Sequence, residues 1–266
     1  MVALRTDLHN HLGRNGANPG FDQTIDLVYE RLGPNSIFGI CNDGYQDKRF
    51  EGFINQNGGK YERTWLDDKK TILSVPEKQI FLINVEEVET KQGHFINVGM
   101  PSDKKIQKTD MTLTLEDAIK AADDFGTIKI TVHPFGRDGL GYYLRENINL
   151  LEQFDGWEVY NASAELAIPF ILPFNANLKS QKFYNSILGY DYGIGACAFT
   201  DGHSPEIIGM SYTILSLNED PLSIEFIRKA IKRNKTFENL HMKPAKLDAF
   251  KHAKNMGMNI LFKTAV

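Results

Sequence analysis

Short apolar runs that read as strands alternate with helix-like segments along most of this chain, and that rhythm restricts its fold more than any other feature. Strands are expected at 2–8, 36–42, 78–86, 127–132, 156–161, 193–200 and 210–217, with 94–100 pairing nearby. Helices are expected at 21–34, 112–126, 146–154, 178–191, near 221–233 and at 246–256. Thr114 and Asp117 have the spacing of a capping box, and Gly126 stands where that helix should stop. Strands separated by helices of this length imply parallel β/α units in one sheet or barrel. No internal repeat or low-complexity linker interrupts the 266 residues, so the expectation is one domain over 1–266, with C-terminal helices from about 219. Residues 44–75 break the rhythm. They are long, polar and glycine-containing, with Phe50, Phe53, Tyr61 and Trp65 among the charges, and read as a lid or rim insertion.

The formal net charge of −4 is mild and has the wrong sign for a protein that works by neutralising phosphates, so a nucleic-acid polymer is not expected as partner. The basic stretch at 104–108 reads as a solvated loop. Cys41 and Cys197 lie in apolar runs, upstream of the strand ends, and read as buried free thiols rather than ligands. No segment has the pattern of a signal peptide or a membrane span, which leads to the expectation of a soluble, cytoplasmic protein without a membrane partner.

The polar residues cluster where the strands end. Asp7, His9 and His11 follow the first strand, and Asn42 and Asp43 the second. Glu86, Glu87 and Glu89 follow the third, His133 ends TIKITVH, Asn161 ends GWEVYN, and Asp201 and His203 follow GIGACAFT. In an extended chain residues i and i+2 share a face, so His9 and His11 would project together. In parallel barrels the C-terminal strand ends carry the functional groups. Imidazoles and carboxylates converging there would repel or stay unsatisfied without a compensating cation. This donor set, without a thiolate cluster, suits Zn, Mn or Fe, and its spread over many strands favours more than one ion. His241 and His252 lie in the C-terminal region and read as surface residues.

DLHNH, NVEEVET followed by GHFINVG, TVHPFG, WEVYN and TDGHS occur in the order found in the PHP (polymerase and histidinol phosphatase) family, and the chain resembles that family from residue 6 to about 204. The resemblance implies an α/β fold, a distorted TIM-like barrel counted as (β/α)7, with two or three metal ions. By motif position His9, His11 and Asp201 would hold the first ion. Glu87 would bridge to a second held by His133, with His94 as a further ligand. His203 would serve a third ion or the substrate phosphate. The family's TDH is replaced here by Asn42-Asp43-Gly44, and RNGANPG after HxH offers no further His or Asp. A two-metal site is therefore expected, with any third ion rebuilt from Asp43 and His203.

The implied reaction is hydrolysis of a small phosphomonoester or nucleotide by water activated between the ions. Asp201 would accept a proton, and Arg14 and Arg137 would bind phosphoryl oxygens through their planar donor forks. Asn161 would orient substrate or a ligand. Two rivals keep the same site: an amidohydrolase-like enzyme cleaving C–N bonds, and a metal-binding regulatory protein without catalysis.

Overall fold

The computed structural model describes residues 2–12, 19–43, 49–56, 59–107, 113–165, 176–187, 192–217 and 222–244. The strands are β1 (Val2–Asp7), β2 (Ser36–Asp43), β3 (Thr64–Trp65), β4 (Ile72–Val75), β5 (Ile80–Thr90), β6 (Gly93–Val98), β7 (Ile128–Thr131), β8 (Gly156–Asn161), β9 (Gly195–Phe199), β10 (Tyr212–Leu217) and β11 (Leu240–His241). The helices are α1 (Phe21–Leu32), α2 (Arg49–Ile54), α3 (Leu115–Phe125), α4 (Gly141–Glu146), α5 (Ala176–Ile187) and α6 (Ile224–Arg233).

The sheet runs β11-β10-β1-β2-β5-β6-β7-β8-β9. From β1 to β9 it forms the wall of a nearly closed barrel, a distorted TIM-like barrel. β1, β2 and β5 are parallel neighbours, as are β7, β8 and β9. The distortion is β6, which pairs antiparallel with both β5 and β7. Because β6 runs backwards, its first residues lie at the end where the parallel strands finish.

β5 is longer than the expected 78–86 and changes partner midway. Ile80–Ile83 pair with β4, and Val85–Thr90 with β6. Glu86, Glu87 and Glu89 therefore lie inside a strand rather than after one, because the hairpin to β6 prolongs it. Asn84 marks the changeover, and its side chain satisfies the groups that the switch leaves free. It donates to the carbonyl of Met100 at 3.0 Å and accepts from Asn42 Nδ2 at 2.8 Å.

α3 forms as its capping signals require, with Thr114 Oγ1 accepting from Asp117 N and Gly126 at φ 69° ending the helix. The helix expected at 146–154 is α4 followed by a 3₁₀ segment at Ile148–Gln153. The helix expected at 246–256 lies outside the described residues. Within the segment expected as a lid or rim, the described residues contribute to the core and the sheet. Phe50, Phe53 and Ile54 are buried against Ile25, Val28 and Leu32 of α1, and β4 belongs to the sheet. Cys41 and Cys197 are buried free thiols, and burial pushes Cys197 up. Among the described residues no helix is long and apolar enough to cross a membrane.

The last edge of the barrel is closed without a ladder. β1 already pairs with β2 and β10, so the edge of β9 away from β8 meets no strand in a ladder. Its alternate residues are satisfied one by one. Ala196 exchanges hydrogen bonds with Asn234, both 2.7 Å. Ala198 donates to Thr213 Oγ1 at 2.9 Å and accepts from it at 3.2 Å, while Thr200 N donates to Asp7 Oδ1 at 3.1 Å. Beyond β1 the backbones meet at last, with His11 N on the Gly202 carbonyl at 2.7 Å and Gly202 N on that of His9 at 3.2 Å.

Replacing Thr213 with Val conserves shape but leaves a buried donor and acceptor on Ala198 unpaired. Thr213→Val should cost about 2–4 kcal/mol in urea unfolding. Thr213→Ser, which keeps the hydroxyl, should cost roughly 1 kcal/mol. Equal losses would show that packing, not hydrogen bonding, closes this edge.

Candidate metal centre

The fold brings together seven of the expected ligands. His9 and His11 leave β1 in an extended segment held between the Gly202 backbone and Cys41 N, which donates to the Asn10 carbonyl at 2.8 Å. Their rings stand edge to face, 5.0 Å apart, and both are fully buried. A Cβ at Gly39 would overlap the Leu8 carbonyl, so only glycine lets β2 approach this segment. Glu87 points inward from β5, while its neighbour Glu86 points outward and accepts from Ile106 N and Gln107 N, fixing that loop.

Two carboxylates, Glu87 and Asp201, are each shared among several imidazoles. Glu87 Oε2 lies 3.3 Å from His11 Nε2, and Glu87 Oε1 lies 3.1 Å from His133 Nε2 and 3.2 Å from His94 Nδ1. Asp201 Oδ1 lies 3.5 Å from His9 Nε2, 3.4 Å from His11 Nε2 and 3.5 Å from His203 Nδ1. His203 stacks on His11 at 4.7 Å, and its Nδ1 is 2.9 Å from the Asp201 carbonyl, so a proton there would put the lone pair on Nε2. Among the described residues three clusters with a carboxylate result: His9, His133 and Asp201; His11, Asp201 and His203; and Glu87, His94 and His133.

His9 Nε2 is buried without a hydrogen bond, facing Asp201 Oδ1 at 3.5 Å and Glu87 Oε1 at 4.0 Å. Ligand atoms about 2.0–2.2 Å from a common ion lie roughly 3.0–3.5 Å from one another. The donor set therefore fits transition-metal ions. Burial alone would raise Glu87, but its hydrogen bonds to His133 and His94 outweigh it and hold the carboxyl well below its ordinary value. Burial is likewise outweighed at Asp201, by the charges of His9 and His203 and the hydrogen bond to His11. Burial opposes the charged forms of His9, His94 and His133, yet the facing carboxylates raise all three.

The backbone is bent to aim these groups. His133 and Asp201 have φ of 30° and 56°, two of the five non-glycine residues with positive φ among the described residues. Strain of this kind costs roughly 1–3 kcal/mol per residue and clusters at functional sites. Asn161 reaches the site, its Nδ2 donating to Asp201 Oδ2 at 3.2 Å. Asn42, in the altered TDH position, is structural: its Oδ1 accepts from Phe50 N at 3.1 Å, starting α2.

Arg137 is exposed on the loop after His133, whereas Arg14 and the Asp43 side chain lie outside the described residues. Cys41 lies nearer than its strand position implied, its sulfur within 4.8 Å of ligand atoms of His9 and His11. His241 is exposed and stacks on Tyr212, while His252 lies outside the described residues. One site residue escaped sequence reasoning: Glu158, whose Oε1 faces His9 Nδ1 at 3.4 Å. The motif WEVYN contained it, but regular alternation points it away from Asn161.

No protein-family model matches the chain, and no curated protein matches it. Solved structures do. A two-domain protein from Bacteroides vulgatus ATCC 8482, containing a predicted PHP-like metal-dependent phosphoesterase, is 17% identical with a TM-score of 0.57, over 91% of this chain and 65% of its own. The lesion-specific endonuclease PfuEndoQ from Pyrococcus furiosus is 14% identical, TM-score 0.55, over 87% of this chain and 56% of its own. PsfC from Pseudomonas syringae PB-5123 is 12% identical, TM-score 0.60, over 97% of this chain and all of its own. The chain thus has the fold of these proteins and spans less than two thirds of the length of the first two.

In the metal-free protein the raised histidines stabilise the fold most below their ordinary value of 6.5, and that contribution is lost as pH rises through their folded values. The lowered carboxylates contribute above their own ordinary range and lose that contribution as pH falls through their folded values. Metal binding requires unprotonated imidazoles, so protons and ions compete. The rise in Tm on adding Zn or Mn should therefore be larger at pH 8 than at pH 6, approaching about 3 kcal/mol of stabilisation at a hundred times Kd. A rise independent of pH would place the binding outside this histidine cluster.

Proposed function

We propose that the chain is a metal-dependent phosphoesterase acting on a small phosphomonoester or nucleotide at this centre, in the cytoplasm. The observation that carries the reading is the sharing of Glu87, whose two oxygens face different histidine sets, His11 on one side and His133 with His94 on the other. That arrangement suits a pair of ions. His9, His11 and Asp201 would hold the first, and His133 and His94 the second, with Glu87 between them. His203, with His11 and Asp201, provides for a third ion or for a substrate oxygen, and Asp43 ends the neighbouring strand. Zn, Mn and Fe all suit nitrogen and carboxylate donors.

Ions bound here supply Lewis acidity toward phosphoryl oxygens and lower the pKa of water. The protein's own groups do the rest. Asp201 would help hold the first ion through Oδ1 and serve as proton acceptor through Oδ2, which accepts from Asn161 Nδ2 at 3.2 Å. Asn161 keeps that carboxylate in one orientation. Arg137, exposed beside the His133 turn, and Arg14, next to the HxH segment, are the candidates for clamping non-bridging oxygens with their donor forks.

A second reading, a phosphodiester in nucleic acid, is favoured by the likeness to PfuEndoQ and opposed by the net charge of −4.

The test is turnover of p-nitrophenyl phosphate and nucleoside monophosphates by protein reconstituted with Zn, Mn or Fe. Bis-p-nitrophenyl phosphate, a DNA oligonucleotide carrying a lesion and cyclic amides serve as comparisons. Monoester turnover should fall at least a hundredfold in His9→Ala and Glu87→Gln, with loss of bound metal measured in the same samples. Arg137→Ala should raise KM more than it lowers kcat. Turnover of amides alone would sink the phosphoesterase reading, and bound metal with no turnover above the His9→Ala level would favour a non-enzyme.

A further inference from the structure

Glu158 sits in β8 between Trp157 and Val159, and its side chain is fully buried. Both its oxygens are spent on the metal centre. Oε1 faces His9 Nδ1 at 3.4 Å, and Oε2 accepts from His133 N and from Asn161 Nδ2, the latter at 3.1 Å. Asn161 passes the connection on to Asp201 Oδ2 at 3.2 Å. A single carboxylate thus touches His9 on one side of the centre and the backbone of His133 on the other, and reaches Asp201 through one amide.

Its place depends on an irregularity. Side chains alternate along a regular strand, so residues three apart face opposite ways. Glu158 pairs with Cys197 but Tyr160 pairs with Ala198, so β8 carries one extra residue against β9. This bulge turns Glu158 and Asn161 to the same side, where they hydrogen-bond to each other.

We propose that Glu158 is the positioning residue of the centre: it fixes His9 as the tautomer protonated on Nδ1 and holds the left-handed turn at His133. A carboxylate accepts but does not donate, so the His9 nitrogen facing it carries the imidazole's one proton. The lone pair is then on Nε2, which faces Glu87 and Asp201. The hydrogen bond from His133 N anchors a residue whose φ of 30° is otherwise unfavourable. The effect on ion binding rests on the metal reading above; the effect on the tautomer does not.

The test uses the full chain as Glu158→Gln and Glu158→Ala, with folding checked by circular dichroism. The His9 nitrogens are read by ¹⁵N NMR at pH 8.5 without metal and assigned by their loss in His9→Asn. Zinc affinity is read by competition with a chelator. The wild type should show His9 protonated on Nδ1. In Glu158→Ala the proton should move largely to Nε2 and zinc should bind 10–100-fold more weakly. Glu158→Gln keeps an acceptor oxygen and should fall between the two; should Glu158→Ala not fold, its shifts decide. Wild-type His9 protonated on Nε2, or an unshifted tautomer or zinc affinity in the deciding variant, overturns the proposal. A wild type that binds no zinc overturns the metal reading instead, and the tautomer comparison then decides the role of Glu158.

Discussion

Everything at the metal centre depends on how the barrel closes between β9 and β1. β10 occupies the edge of β1 that β9 would need, so the two strands cannot share a ladder. The edge of β9 is met at alternate residues by Asn234, Thr213 and Asp7, and only past the strand ends by the backbone of His9 and His11. Closure is therefore tightest at the end that carries the histidines. His9 and His11 are part of the seam as well as candidate ligands, and the bonds that shut the barrel also bring them to Asp201. Asp7 shows what this costs. Burial raises its carboxyl to about 6, with the hydrogen bonds to Thr200 and Asn10 offsetting only part of the penalty.

The reversed strand β6 solves a related problem. A parallel strand delivers groups to the site only at its C-terminal end, after a long crossover. The β5–β6 hairpin delivers two from a short span: Glu87 on the way up and His94 on the way down, seven residues apart, with Glu89 paired directly opposite His94. Departure from a regular β/α barrel is what places a third imidazole beside the shared carboxylate. The partner change at Asn84 lets β5 run long enough for this, because its side chain satisfies carbonyls that β4 and β6 leave uncovered.

Much of this was legible in the sequence because polar residues at strand ends are a positional signal, and position survives when packing is unknown. His9, His11, Glu87, His133, Asp201 and His203 stand out for being imidazoles and carboxylates where apolar runs stop. Features that depend on irregular pairing were not legible. Period-two alternation puts Glu158 and Asn161 on opposite faces, and only the bulge reverses that. The length of β5 was underestimated because three glutamates look like a strand end, whereas two of them are buried, Glu86 on a loop backbone and Glu87 among histidines. The aromatics at 50–65 sit among charges, and nothing local shows that Phe50 and Phe53 fill the gap beside α1.

The same irregularities argue that the centre is held ready rather than assembled by its ligand. His133 and Asp201 hold left-handed backbones, each pinned from several sides. The His133 carbonyl accepts from Gly136 N at 2.6 Å while its amide is bound by Glu158. The Asp201 carbonyl accepts from Ser163 Oγ at 2.8 Å and lies 2.9 Å from His203 Nδ1. Residues in such conformations relax unless their surroundings over-determine them. Here the determining bonds come from β8, the His133 turn and the loop after β9, so relaxing one ligand would disturb the others. The imidazole–carboxylate contacts compensate one another's charge, and their spacing matches that of ligands around a shared ion. An ion held here would exchange for protons with little movement of the chain.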